Sequence, residues 1–102
     1  MPWIDACSIN DIEPEEVIRF DHGGRTFAIY RDDADKYYCT DGLCTHEEVH
    51  LADGLVMGNT IECPKHSSIY NFITGEVETP PACENLHTYR TKVESTRVFV
   101  EI

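Results

Sequence analysis

Residues 42–46, Gly42-Leu43-Cys44-Thr45-His46, and residues 63–66, Cys63-Pro64-Lys65-His66, decide how this chain is read. Each segment places one cysteine and one histidine on a tight loop, with residues 47–62 between the two loops. Short runs rich in β-branched and aromatic residues flank them: 36–40 before the first loop, 55–57 and 60–62 between, 69–72 after the second. Gly58-Asn59 separates the two middle runs. Two hairpin tips are therefore expected to face each other and hold a small object between them.

Outward from the loops the same pattern continues. Residues 17–20 and 25–31 read as two strands around the turn Asp21-His22-Gly23-Gly24. In the second of these, Phe27 and Ile29 point one way and Thr26, Ala28 and Tyr30 the other. Residues 32–35 form a polar turn, Thr74-Gly75-Glu76 another, and Pro80-Pro81 breaks regular structure. Residues 86–93 and 97–102 read as a closing hairpin around 94–96. The one helical candidate is 8–16, with Asp11 as a cap and Pro14 near its start. The fold class is all-β, a sandwich or barrel. Residues 1–102 are read as one domain, with a base of about 1–41 and 85–102 and an insert of about 42–84 that carries the two loops.

Composition narrows the function. Eight Lys and Arg stand against nineteen Asp and Glu, a formal charge of -11. That disfavours nucleic acid and anionic membrane surfaces, which need clustered cations. It favours solubility and steered docking onto basic protein patches. No apolar run approaches the roughly 20 residues of a membrane helix. No basic region followed by an apolar stretch opens the sequence, so a cytoplasmic location is expected. Five cysteines, an odd count, argue for metal ligation over a disulfide scaffold in that compartment.

The ligand types point to particular metals. A [2Fe-2S] cluster takes four protein ligands, and when two are Cys on one iron and two are His on the other the centre is Rieske-type. Two loops that each give one Cys and one His meet that demand. Zinc accepts the same four ligands, although zinc knuckles more often pair Cys with Cys on one loop and His with His on another. A Cys–His nucleophilic dyad is the remaining alternative, without a visible orienting third group.

The segment resembles the Rieske signature. The whole chain is similar to the Rieske ferredoxins of bacterial aromatic-ring-hydroxylating dioxygenase systems. The likeness includes Gly42-Leu43, Leu51-Ala52-Asp53-Gly54, Thr74-Gly75 and 80–86, Pro80-Pro81-Ala82-Cys83-Glu84-Asn85-Leu86. It implies one [2Fe-2S] cluster on Cys44, His46, Cys63 and His66, with Lys65, Ser68, Tyr70 and Pro81 around it. It implies that the proline loop covers one side of the cluster, so that Cys83 packs nearby without ligating. High-potential Rieske proteins carry two further cysteines at the places of Val49 and Lys65, and their absence suggests the lower-potential ferredoxin branch. Ser68 and Tyr70, however, match hydroxyl donors of the high-potential branch. They are expected to raise the potential above that of sister ferredoxins lacking them.

The function so implied is one-electron carriage from a flavoprotein reductase that oxidises NAD(P)H to a terminal oxygenase, by a monomer that is not itself an enzyme. The alternative is the Rieske-like small subunit of a nitrite reductase. Other titratable residues are given plainer roles. His50 is expected in a solvated loop, and His22 and His87 at the surface. Cys39 is expected as a small buried hydrophobe and Cys7 as packing. Glu47, Glu48, Asp53, Glu76, Glu78 and Glu84 are expected as an acidic surface around the loops.

Overall fold

A computed structural model describes residues 2–45, 48–65, 67–79 and 84–102. Its strands are β1 (Trp3–Ser8), β2 (Glu16–His22), β3 (Arg25–Arg31), β4 (Tyr37–Asp41), β5 (Leu55–Met57), β6 (Thr60–Glu62), β7 (Ile69–Asn71), β8 (Val77–Thr79), β9 (Thr88–Tyr89), β10 (Thr91–Glu94) and β11 (Arg97–Glu101). They form three antiparallel sheets, ordered β1-β11-β10, β2-β3-β4-β9 and β5-β6-β7-β8. Among the described residues, no helix is long and apolar enough to cross a membrane.

The alternation in β3 is the key to the layering. Phe27 and Ile29 join a core with Cys7, Ile12, Cys39, Val98 and Val100, under the β1-β11-β10 sheet. Ala28 and Tyr30 face the opposite way, into a core with Leu51, Val56, Ile61, Tyr70, Phe72 and the two cysteines Cys44 and Cys63. Residues 27–30 are all fully buried. The central sheet is thus covered on both faces, by the small sheet on one side and by the loop-bearing sheet on the other. Tyr30 and Phe72 join the second pair of layers, their rings stacked 4.5 Å apart at 4°. Such a pair adds about 1 kcal/mol beyond the burial of its surface.

The expected helix at 8–16 is not there. A single 3-10 turn spans Ile9–Asp11, and its cap is Ser8, not Asp11. Ser8 Oγ accepts from the Asn10 amide at 3.2 Å, while Asp11 Oδ2 accepts from the Ser8 amide at 2.8 Å. The turn ends because Ile12 is extended and 1% exposed, and Arg31 Nη1 donates to its carbonyl at 2.7 Å. Burial of one isoleucine plus capture of its carbonyl outweighs the weak helix preference of the segment, and Pro14 would block the next turn anyway. The residues before the turn form β1, which pairs with β11 across a bulge between Asp5 and Cys7.

The closing hairpin is real but shorter than the sequence suggests. The chain changes sheets at Arg90: Thr88 and Tyr89 pair with Thr40 and Cys39, whereas Thr91–Glu94 pairs with Val100 to Arg97. Leu86, expected to open that strand, lies outside it, with its amide on the Gly75 carbonyl at 2.7 Å. Gly75 sits at φ +84, and a Cβ there would stand 2.2 Å from the Leu86 oxygen. Only glycine allows this close approach.

Candidate metal centre

The two Cys/His loops are built alike. The first leaves β4 through Gly42, whose amide donates to the Thr26 carbonyl at 3.0 Å. Leu43 then pairs with His50 across the loop. Within it, the Cys44 amide donates to the Val49 carbonyl at 3.0 Å. The second loop joins β6 to β7, and Glu62 pairs with Ile69 across it. Within it, the Cys63 amide donates to the Ser68 carbonyl at 2.7 Å. In both loops, therefore, the cysteine amide is tied to the carbonyl five residues on. Both cysteines are buried, at 5% and 2% exposure, in the same apolar core. His46, His66, Pro81 and Cys83 lie outside the described residues, as does Glu47.

Tyr70 connects the loops. It belongs to β7, after the second loop, yet its hydroxyl reaches the first: 3.1 Å from Cys44 Sγ, 3.0 Å from the Thr45 amide and 2.8 Å from Thr45 Oγ1. The Thr45 amide can only donate, so it occupies a lone pair of the phenol oxygen. Thr45 Oγ1 also lies 2.9 Å from the Glu84 carbonyl, which takes the threonine proton. The phenol proton is left to be shared between Thr45 Oγ1 and Cys44 Sγ, and a thiolate would draw it to sulfur. Burial, followed by the bond to Cys44, pushes the Tyr70 hydroxyl up to about 12. It remains a donor across the working range of pH.

The other expected site residues are placed as follows. Ser68 is completely buried beneath the second loop, and Lys65 is exposed at its tip. Glu48, Asp53, Glu76, Glu78 and Glu84 are exposed. Cys39 and Cys7 are buried, with thiols pushed by desolvation to about 12 and about 11. His22 and His87 are at the surface. His50 is the exception: it is 7% exposed rather than solvated. Its ring is drawn inward because it caps the 3-10 turn Leu51–Asp53, with Nδ1 accepting from the Ala52 amide at 3.0 Å. Sequence reading also passed over Thr45. A hydroxyl beside the first cysteine, with an aromatic hydroxyl downstream, was the available signal. Asn85, whose Oδ1 accepts from the Val77 amide at 3.0 Å, left no such signal.

The described donors suit a thiolate-bound cluster. Two buried sulfurs are presented by matched loops, and a hydroxyl proton is available to one of them. A buried thiolate without a cation would be strongly disfavoured, whereas metal ligation deprotonates it and supplies the compensating charge.

Comparison with known proteins agrees. The family model for the Rieske [2Fe-2S] domain matches residues 2–90. The ferredoxin component of a naphthalene 1,2-dioxygenase system from Pseudomonas putida is 34% identical over 98% of this chain and 95% of its own. The ferredoxin of carbazole 1,9a-dioxygenase from Nocardioides aromaticivorans IC177 superposes with a TM-score of 0.91 at 25% identity, covering 98% of this chain and 97% of that one. A chain in a complex of reduced oxygenase and oxidized ferredoxin of carbazole 1,9a-dioxygenase matches with a TM-score of 0.89 at 30% identity, over 96% and 91%. With its paired loops and nearly full-length matches, this chain belongs to the Rieske [2Fe-2S] family, among the ferredoxin components of aromatic dioxygenase systems.

Proposed function

We propose that this protein carries single electrons from a flavoprotein reductase to a terminal oxygenase, through a [2Fe-2S] cluster held by Cys44 and Cys63 on one iron and His46 and His66 on the other. The observation that carries the reading is the pair of matched loops, each closed from its cysteine amide, with both sulfurs buried in one core. The cluster supplies a reversible one-electron couple. The chain's own residues do the rest. Cys44 and Cys63 are buried in one shared core, an arrangement suited to a small reorganisation when charge changes. Tyr70 offers a proton to Cys44 Sγ and fixes Thr45, and Thr45 Oγ1 ties the first loop to Glu84.

Partner choice rests on the surface, where Glu48, Asp53 and Glu84 are exposed beside the loops and the chain carries a net charge of -11. A transient, salt-sensitive encounter with a basic patch fits that charge. The oxygenase partner is supported by the relatives whose descriptions place them in dioxygenase systems. A monomer in the cytoplasm completes the reading. The small subunit of a nitrite reductase is the weaker reading, because the sequence relationship runs to ferredoxin components.

The test is an absorption and low-temperature EPR spectrum of iron-loaded protein reduced with dithionite, followed by turnover with a reductase and an oxygenase of the dioxygenase type. A rhombic signal with an average g value below that of all-Cys clusters, lost in Cys63→Ser, supports the ligand set. Zinc without iron or sulfide would overturn it. A cluster that no such reductase can reduce would overturn the carrier role alone.

A further inference from the structure

His50 occupies a position that electron carriage does not explain. Its imidazole is almost fully buried and spans two parts of the fold. Nδ1 accepts from the Ala52 amide at 3.0 Å, in the turn that follows the first loop. Nε2 lies 2.8 Å from Thr26 Oγ1 on β3. Thr26 Oγ1 donates in turn to Asp21 Oδ1 on β2 at 2.6 Å, and Arg19 Nε closes on the same carboxylate at 3.1 Å.

Proton counting leaves one arrangement. The Asp21 carboxylate only accepts, so it takes the single Thr26 proton. Thr26 oxygen must then accept from His50 Nε2–H. The Ala52 N–H only donates, so Nδ1 must be bare. The ring is neutral, in one tautomer, with both nitrogens used. Gly42 makes room for it: a Cβ there would stand 2.5 Å from Nε2. Gly42 is also two residues before Cys44, and its carbonyl receives the Leu51 amide at 2.7 Å. The imidazole is thus wedged between the central sheet, the strand entering the first loop and the turn leaving it.

We propose that neutral His50 is a positioning residue that ties the Cys44 loop to the β2–β3 hairpin through Thr26 and Asp21, and that a second proton on its ring releases this tie. The proton can go only to Nδ1, where it meets the Ala52 N–H. The turn Leu51–Asp53 then loses its cap, and the loop loses its fixed exit. The charged groups facing the ring are Arg19 and Asp21 on β2 and Asp53 in its own turn; desolvation and Arg19 disfavour the imidazolium, and the two carboxylates favour it. The balance holds the ring below its ordinary value of 6.5. The tie is therefore complete above about pH 6.5 and weakens as pH falls through the lower folded value.

This inference rests on the assignment of Cys44 and His46 as ligands. The experiment follows loss of visible cluster absorbance after adding an iron chelator to the loaded protein, from pH 8 to pH 5, in the native chain and in three variants. His50→Asn keeps an acceptor oxygen near Nδ1 for the Ala52 amide but cannot titrate. The ratio of native to His50→Asn loss rates should be flat above pH 6.5, rise by up to about tenfold per pH unit as pH falls from there towards the folded value, and level off below it. Thr26→Val should speed loss about tenfold at pH 7, and Thr26→Ser should restore the native rate. Acid lability of the ligands themselves is common to all four proteins and cancels in the ratio. A ratio constant from pH 8 to pH 5, or a Thr26→Val rate equal to native, overturns the tie. A loaded protein without the Rieske spectrum overturns the ligand assignment instead.

Discussion

Replacing Tyr70 with phenylalanine removes one oxygen and leaves the ring, fully buried in the core, in place. Three contacts go with that oxygen: to Cys44 Sγ at 3.1 Å, to the Thr45 amide at 3.0 Å and to Thr45 Oγ1 at 2.8 Å. The first bears on the potential. A hydrogen bond to a charged acceptor is worth roughly 1.5–3 kcal/mol, and it strengthens as the sulfur gains electron density on reduction. If about 1 kcal/mol of it distinguishes the reduced from the oxidised cluster, the midpoint falls by about 40 mV, since about 59 mV is tenfold for one electron. Burial holds the hydroxyl protonated up to about 12, so the fall should be independent of pH between 6 and about 9. The lost Thr45 contacts lower stability by about 1–2 kcal/mol without moving the potential. Film voltammetry on native and Tyr70→Phe protein, with EPR to confirm an intact cluster, measures the shift. A midpoint within about 10 mV of native would refute the reasoning. It would mean that the phenol O–H is directed at Thr45 Oγ1 and not at Cys44 Sγ in both redox states.

Four further outcomes are expected. Ser68→Ala should also lower the midpoint, by less than Tyr70→Phe, and voltammetry on the double variant would show whether the two shifts add. Cys44→Ser and Cys63→Ser should each abolish the visible absorbance of the loaded protein, whereas Cys39→Ala, at a site away from the loops, should keep it; iron analysis checks all three. Gly75→Ala forces a Cβ to 2.2 Å from the Leu86 oxygen at φ +84 and should destabilise the chain by about 2 kcal/mol or more, read as a lowered thermal midpoint. Raising ionic strength from about 10 to 500 mM should slow electron delivery to the oxygenase several-fold in stopped flow, because exposed carboxylates steer the encounter.

The all-β fold class and the Rieske-type cofactor were both legible in the sequence. Cysteine and histidine at fixed spacing have few uses, so the two loops read as a candidate metal centre from residue type alone. The facing of β3 was legible too, because Phe27 and Ile29 alternate with Ala28 and Tyr30 over enough residues to define both sides. Other parts depend on distant partners. Residues 8–16 look weakly helical, and what decides against a helix is Arg31, which takes the Ile12 carbonyl from another strand. The switch of the chain between sheets at Arg90 is set by which edge is vacant, and no local pattern encodes that. His50 misled for the same reason. A histidine in an acidic loop reads as solvated, and its burial depends on Thr26 and on the missing side chain of Gly42.

The three-layer arrangement bears on how so short a chain holds a rigid centre. A domain of this size buries a modest share of its surface and has little apolar area to spare for loops. Here the loops are not set on a finished core; their cysteines are part of one, with Leu51, Val56, Ile61 and Phe72 packed against the back of the central sheet. Tyr30 and Tyr70 show the economy of this. Each buries a large ring for stability and gives its one polar atom a partner: Tyr30 to Thr40 at 2.8 Å, inside the central sheet, and Tyr70 to Cys44 at 3.1 Å, in the first loop. Substitutions that loosen the Tyr30–Phe72 stack should therefore affect both unfolding and cluster retention, since one interface serves both. A variant such as Phe72→Leu that lowered the thermal midpoint but left the cluster's loss rate unchanged would show that the loops hold their geometry independently of the core beneath them.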